Sequence, residues 1–463
     1  MGTTRKFLRN LDKVSMSNLG KATKLQKAVS AVTALGFVLQ PMAAMASVIT
    51  RADGTTNKIE TNGNLTKIFA DKMINDKIAM SHFKDFKLDA GQIANMYFGQ
   101  DEKGAAEHLV NFVNTRIDIN GTVNAIKNSK IGGNLFFLSS QGMVVGALGV
   151  INAGTLYVST PNEKRYEELV NNFNNKTPLE NGKSLEDTLF YSVPINESGT
   201  ISVLGKINAT DGVNLRAPKI GVGKNVSGDK AYGDTSASAA IRTGVVDFAD
   251  IVNIKDANGN ISVNSELQDG ALKADKNGNG DIVLAAYNSY NDNYYGLDSD
   301  VQDIAGKDVT AELVVAEGAT IEAAGKAQLS AEAVNNLQVD DYKLAANNST
   351  AAPAPGEDAG DDGDDEEGAS VSNTNTSLVG QIVNTKANVV IDGKVTGEQV
   401  DISANAANRY ITSESSDLSD ITGKLNLVGI HFDAAYGKLT NEAKVDIGEH
   451  AVINATGEDK AVV

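Results

Sequence analysis

Between Ile131 and Pro161 the chain reads IGGNLFFLSSQGMVVGALGVINAGTLYVSTP, short apolar runs broken by glycine at nearly regular intervals. Apolar residues alternate at Leu135/Phe137 and Val144/Gly146/Leu148, and the breaks fall at Gly132-Gly133, Gly142, Gly149 and Gly154. Alternation over a few residues marks a half-buried strand, and glycine supplies the positive φ that tight corners need. A helix would lose roughly 1 kcal/mol at each interior glycine. The segment therefore predicts a coiling β-structure.

The same signals recur along the chain. Ser47 to about Gly99 carries a local apolar pattern at His82-Phe83, Phe86, Leu88 and Ile93, and the densest strand signals run from Leu109 to Pro161. Tyr166, Leu169, Val170 and Phe173 then follow helical spacing, which predicts a short amphipathic helix over Glu163–Phe173 covering an edge or face of the β-body. Strands resume at Ile201, Val203, Ile207, Val213, Leu215, Ile220 and Val222. Ile151-Asn152-Ala153, Ile207-Asn208-Ala209 and Ile453-Asn454-Ala455 echo one another beside glycine. Units that bury an apolar face only when stacked indicate a solenoid. Residues 351–377 are rich in Pro, Gly, Asp and Glu and predict an extended, disordered acidic linker. The expected organisation is a segment 1–46, a β-helix domain 47–300, a mixed connecting region 301–350, the linker, and further solenoid repeats over 378–463. The stop soon after Ile453-Asn454-Ala455 suggests an incomplete array.

Compartment is read from the first residues. Arg5, Lys6, Arg9, Lys13, Lys21, Lys24 and Lys27 precede a twelve-residue apolar run, Ala28 to Leu39, and Ala44-Met45-Ala46 offers a small-x-small cleavage site ahead of Ser47. The apolar run falls short of the ~20 residues that span a bilayer. Residues 1–46 thus predict an extended signal peptide, cut between Ala46 and Ser47, from a protein that does not span the membrane. The remaining chain would hold 34 basic and 58 acidic residues, −24. That charge argues against nucleic acid as a partner, since phosphate neutralisation needs a basic face. The chain of 463 residues has no cysteine, which suits passage through a narrow pore unfolded, and no tryptophan, so Val, Ile, Leu and Ala must supply the packing.

Chemistry is sparse. Asp275 to Ile282 copies the first half of an EF-hand loop, but position twelve is Ala286 where a bidentate Glu is needed, so a turn is expected. His82, His108, His431 and His450 lack metal-ligand spacing, and Ser139-Ser140 has no adjacent His–Asp pair or nucleophile elbow. Asn64, Asn120, Asn208 and Asn454 head Asn-x-Ser/Thr triplets, as an Asn-rich chain produces anyway. No catalytic, metal or cofactor site is assigned, and a non-enzyme is expected. A paired-carboxylate polysaccharide-cleaving enzyme is the alternative, because β-helices host them.

Phe83, Phe86, Leu88, Gly91 and Ala94-Asn95 form F-x-x-F-x-L-x-x-G-x-x-A-N; a G-N-x-F-x-L strand, a glycine corner at Ser139-Ser140-Gln141-Gly142 and an I-N-x-G-x-L strand follow. In this order, over about residues 47–225, the chain resembles the secretion domain of two-partner-secreted exoproteins, filamentous haemagglutinin-type adhesins and particularly the leukotoxin-family filamentous adhesins. It departs at the corner, where the family reads N-P-N-G. The resemblance implies an all-β fold, a right-handed parallel β-helix. It also implies export to the cell surface or medium through an outer-membrane barrel transporter whose periplasmic recognition domains read Phe83, Phe86, Leu88, Gly91, Asn95 and Ser139 to Gly142. An adhesin would then meet a receptor on a host or bacterial surface. A large secreted toxin, of which this is the N-terminal part, and an autotransporter passenger are the remaining alternatives.

Overall fold

The computed structural model describes residues 48–457, apart from 57, 180–181, 245–252, 256–260, 264–278, 294–304, 340–376 and 413–432. The expected signal peptide with Ala44, Ala46 and Ser47, the acidic linker up to 376, and residues 275–278 of the EF-hand-like stretch lie outside the described residues.

The chain winds into a parallel β-helix with three faces. Face A stacks 78–83, 108–113, 134–138, 155–159, 212–217, 281–286, 326–331 and 399–404, each pairing in parallel with the next. Face B stacks 86–88, 117–119, 142–145, 200–203, 219–222, 312–315, 388–391 and 444–447. Face C runs from 65–68 through 93–96, 122–126, 150–153, 206–209, 240–243, 320–322 and 394–397 to 452–455. The three I-N-A echoes occupy one column of face C: Ile151 pairs with Ile207, and Ile241, Ile321 and Val395 carry the column to Ile453. One continuous apolar core from Ile68 to Ile402 fills the bore.

The first coil is closed by antiparallel strands. Val48–Arg51 pairs with the outer side of Ile78–Leu88, while Ile59–Asn62 covers Leu65–Ile68. An uncovered first rung would present a row of free N–H and C=O groups, a template for other strands. This cap has no periodic signature, because its strands are only four residues long.

The run NLFFL at 134–138 reads as apolar without clean alternation because both sides of it are buried. Leu135 and Phe137 face the bore, whereas Phe136 and Leu138 face outward beneath an excursion. That excursion contains the expected helix, α1 (Glu163–Asn174), whose N-cap Asn162 side chain accepts the Arg165 N–H at 2.8 Å. Leu169 and Phe173 of α1 are fully buried against Met80, Val110, Phe112, Phe136 and Leu138, with the Phe112 and Phe173 rings edge to face at 5.2 Å. Phe173→Ala should cost about 3–4 kcal/mol. The loss should be local, seen as faster hydrogen exchange and proteolysis across 163–191 with the bore unchanged.

A second excursion straps face B. The Arg116 guanidinium donates to Asp118 Oδ1 at 2.7 Å and to Asp229 Oδ2 at 2.6 Å, and lies over the Tyr232 ring. The hydrogen bond from Arg116 holds the Asp229 carboxyl below its usual range. A depressed carboxyl contributes stability above its unfolded pKa of about 4, and that contribution is lost as pH falls through the folded value. Proteolysis within 225–235 should therefore rise below about pH 4 while cleavage of α1 does not.

In the last three coils the face A strands lengthen to Asp281–Asn293, Lys326–Val339 and Gln399–Thr412, and their partners begin early, at Ala305–Val315, Ser377–Ile391 and Asp433–Ile447. The extensions stack coil on coil as a fin on the solenoid. Residues 305–339, expected as a mixed connecting region, are thus regular rungs. Their alternation was legible, but Ala and Glu dilute it (TAELVVAEGATIEAAGKAQLSAEA). The acidic stretch joins two strands of this one stack, Lys326–Val339 and Ser377–Ile391, so it is an insertion within a coil and not a spacer between separate bodies.

Candidate functional site

The motif residues come together in the first three coils, almost all of them inside. Phe83 and Phe86 meet edge to face at 5.4 Å, Phe86 meets Phe137 at 5.4 Å, and Leu88 is buried beside them. Strand geometry places Phe83 and Phe86 on the same side because the strand bends from face A into face B between them. Gly91 turns the next corner at φ +78°.

Asn95 has a role that linear reading does not assign. It is completely buried, and the Asn124 side chain donates to its Oδ1 at 2.9 Å. Asn152 donates in turn to Asn124 Oδ1 at 2.9 Å, and Asn208 to Asn152 Oδ1 at 3.0 Å. Four consecutive coils are thus joined by one amide ladder inside the wall of face C. The signal was the repeated Asn in the I-N-A echo; its meaning needed the register. Asn208, buried there, is closed to modification in the folded chain, whereas Asn454 on the same column is exposed.

The corner at Ser139 to Gly142 is a four-residue turn closed by the Gly142 N–H on the Ser139 carbonyl at 3.1 Å. The Ser139 hydroxyl donates to the Thr115 carbonyl of the coil below at 2.7 Å and accepts the Gln141 N–H at 3.3 Å. A side-chain oxygen bonding two residues on is what Asn does in such turns, and Ser139 does the same here. Ser140 is buried and its hydroxyl has no partner among the described residues, while Gln141 is exposed. Gly142 sits at φ +93° against the Thr200 carbonyl.

Several other polar groups of these coils are engaged structurally. His82 bonds Asn114 at 2.7 Å and His108 lies between Glu107 and Glu186; burial lowers the pKa of both. Arg216 is buried and donates to the Phe190 and Val193 carbonyls, anchoring the first excursion. Asp281, the last carboxylate of the EF-hand-like stretch, accepts the Lys326 N–H at 2.7 Å and so belongs to the coil stack. A shallow polar cleft is lined by Glu107, Lys127, Asn134 and Asp211. Among the described residues no helix is long and apolar enough to cross a membrane.

No family model and no curated protein matches the sequence. Among solved structures the chain is similar to the HMW1 secretion domain from Haemophilus influenzae, at 13% identity over 90% of this chain and 85% of that one, with a TM-score of 0.27. It is also similar to the filamentous hemagglutinin secretion domain, at 12% identity over 88% of this chain and 99% of that one, with a TM-score of 0.28. Both are secretion domains.

Proposed function

We propose that this chain is an adhesin-type exoprotein of the two-partner kind, cleaved after Ala46 and exported through an outer-membrane barrel transporter with periplasmic recognition domains. The reading rests chiefly on one observation. The F-x-x-F-x-L-x-x-G-x-x-A-N motif lies in the first coil of a one-directional stack, beside a cap that only that end carries among the described residues. A stack of this kind adds one coil at a time onto a finished edge, so the end that leaves a pore first folds first and resists backsliding. Phe83, Phe86, Leu88 and Asn95 are buried once folding is complete. A transporter that reads them must therefore meet the chain before it folds, and of the corner residues only Gln141 is offered afterwards. The absence of cysteine fits transit in that state. The receptor would be another cell surface, met by the outer faces of the coils.

The test is to produce the full chain in a Gram-negative host with and without its barrel transporter. Export only in the transporter's presence is expected, with crosslinks from Phe83 and Phe86 positions to the periplasmic domains during transit. Equal export without the transporter refutes the reading. Gln141→Ala, at an exposed position, separates recognition of the folded corner (export falls) from recognition of the unfolded chain (export unchanged).

A further inference from the structure

Where face B turns into face C, the last three described coils bring together residues far apart in sequence. Val315, Ile391 and Ile447 pair in register before the corner, and Thr320, Lys394 and Val452 pair after it. The residues between must therefore lie above one another, which places Glu317, Asp392 and His450 at successive levels of one edge. One donor atom from each lies within 4.8 Å of the other two. The His450 Nδ1 is 3.3 Å from Asp392 Oδ2, and its Nε2 is 3.9 Å from Glu317 Oε1 and 3.6 Å from Glu449 Oε1. Asp392 is also fixed in place, since its Oδ1 accepts the His450 backbone N–H at 3.0 Å.

Two features separate this corner from an ordinary patch of surface carboxylates. First, it contains an imidazole, a nitrogen donor. Second, its acids lack cations: among the described residues no Lys or Arg pairs with Glu317, Asp392 or Glu449. Three other acids of the same coils do have one: Glu322 has Arg242 and Lys394, Asp401 has Lys326, and Asp446 has Lys444. We propose that this corner binds a first-row divalent transition-metal ion such as Zn²⁺, through His450, Glu317 and Asp392, and that the ion ties three successive coils together. Nitrogen with carboxylate oxygen suits Zn²⁺ and its neighbours, whereas Ca²⁺ and Mg²⁺ prefer an all-oxygen shell. Metal–ligand bonds of about 2.0–2.2 Å need the three donors to close in slightly. Glu317 and His450, 69% and 48% exposed, are free to do so. Glu449 or water completes the shell. The consequence is mechanical, because the ion would pin the last three described coils to one another.

Purified full chain, stripped with chelator, is titrated with ZnCl₂ by calorimetry. One Zn²⁺ per chain is expected, with affinity falling more than about tenfold in His450→Ala and less in Glu317→Gln. Hydrogen exchange over 444–455 should slow on adding Zn²⁺ in the parent and stay unchanged in His450→Ala. Glu317→Gln lies on an exposed corner and keeps the comparison valid if His450→Ala loosens the last coil. Absence of stoichiometric binding, undiminished binding in both variants, or displacement of Zn²⁺ by equimolar Ca²⁺ would overturn the proposal.

Discussion

Asn152→Asp should destabilise the stack by about 3 kcal/mol at neutral pH, although it changes neither the size nor the shape of the side chain. The amide at this position is fully buried and acts in both directions, donating to Asn124 and accepting from Asn208. A carboxylate can still accept from Asn208, but it cannot donate, so Asn124 Oδ1 loses its partner and a charge is left in the wall. The defect should diminish in acid. Burial raises the pKa of the introduced carboxyl, its protonated form can donate again, and the loss returns as pH rises through that raised value. Chemical unfolding at pH 4 and pH 7, with hydrogen exchange over 122–126, 150–153 and 206–209, measures this. Asn454→Asp supplies the contrast. It stands five rungs beyond Asn152 on the same column but is exposed, so its effect should stay within about 0.5 kcal/mol. Equal effects at the two positions would show that the ladder does not link the coils.

Gly142→Ala is expected to cost at least about 3 kcal/mol, by separating the third and fourth coils of face B. Two causes add. The backbone stands at φ +93°, a conformation an L side chain rarely adopts, and an added Cβ would collide with the Thr200 carbonyl of the next rung. That oxygen belongs to a backbone paired in register from Gly142↔Thr200 to Val145↔Val203, so it cannot turn aside as a side chain could. Protease resistance of the purified chain and export should both fall. Ser139→Ala, at the other end of the same turn, removes the bond to the Thr115 carbonyl and the longer one from the Gln141 N–H, and should cost only about 1–2 kcal/mol. A Gly142→Ala protein as protease-resistant as the parent would place the importance of this corner in recognition and not in folding.

The cause of the coil was local and therefore legible. Glycines at the corners, period-two apolar residues between them and the I-N-A echo each act within a few residues, and together they forced a stacked β-structure with one helical excursion. The helix was readable because Leu169 and Phe173 repeat at its own period. The insulating cap was not, since its short strands derive their stability from pairing with Ile78–Leu88 and carry almost no pattern themselves. Nor was the continuity of the stack across residues 340–376, because a break in composition looks the same whether it joins two bodies or interrupts one coil.

The amino-acid order alone thus determined that this protein coils, where its corners lie, and which residues form the F-x-x-F-x-L motif and the Ser139–Gly142 turn. Only the tertiary structure decided what those residues touch. Asn95, Asn124, Asn152 and Asn208 became a ladder, and Glu317, Asp392 and His450 became neighbours, because parallel stacking aligns positions separated by a whole coil. A coil here varies from about twenty residues to more than seventy, according to the excursion it carries. Linear spacing therefore cannot report which side chains share a column; the register between rungs sets it, and register is a property of the folded stack.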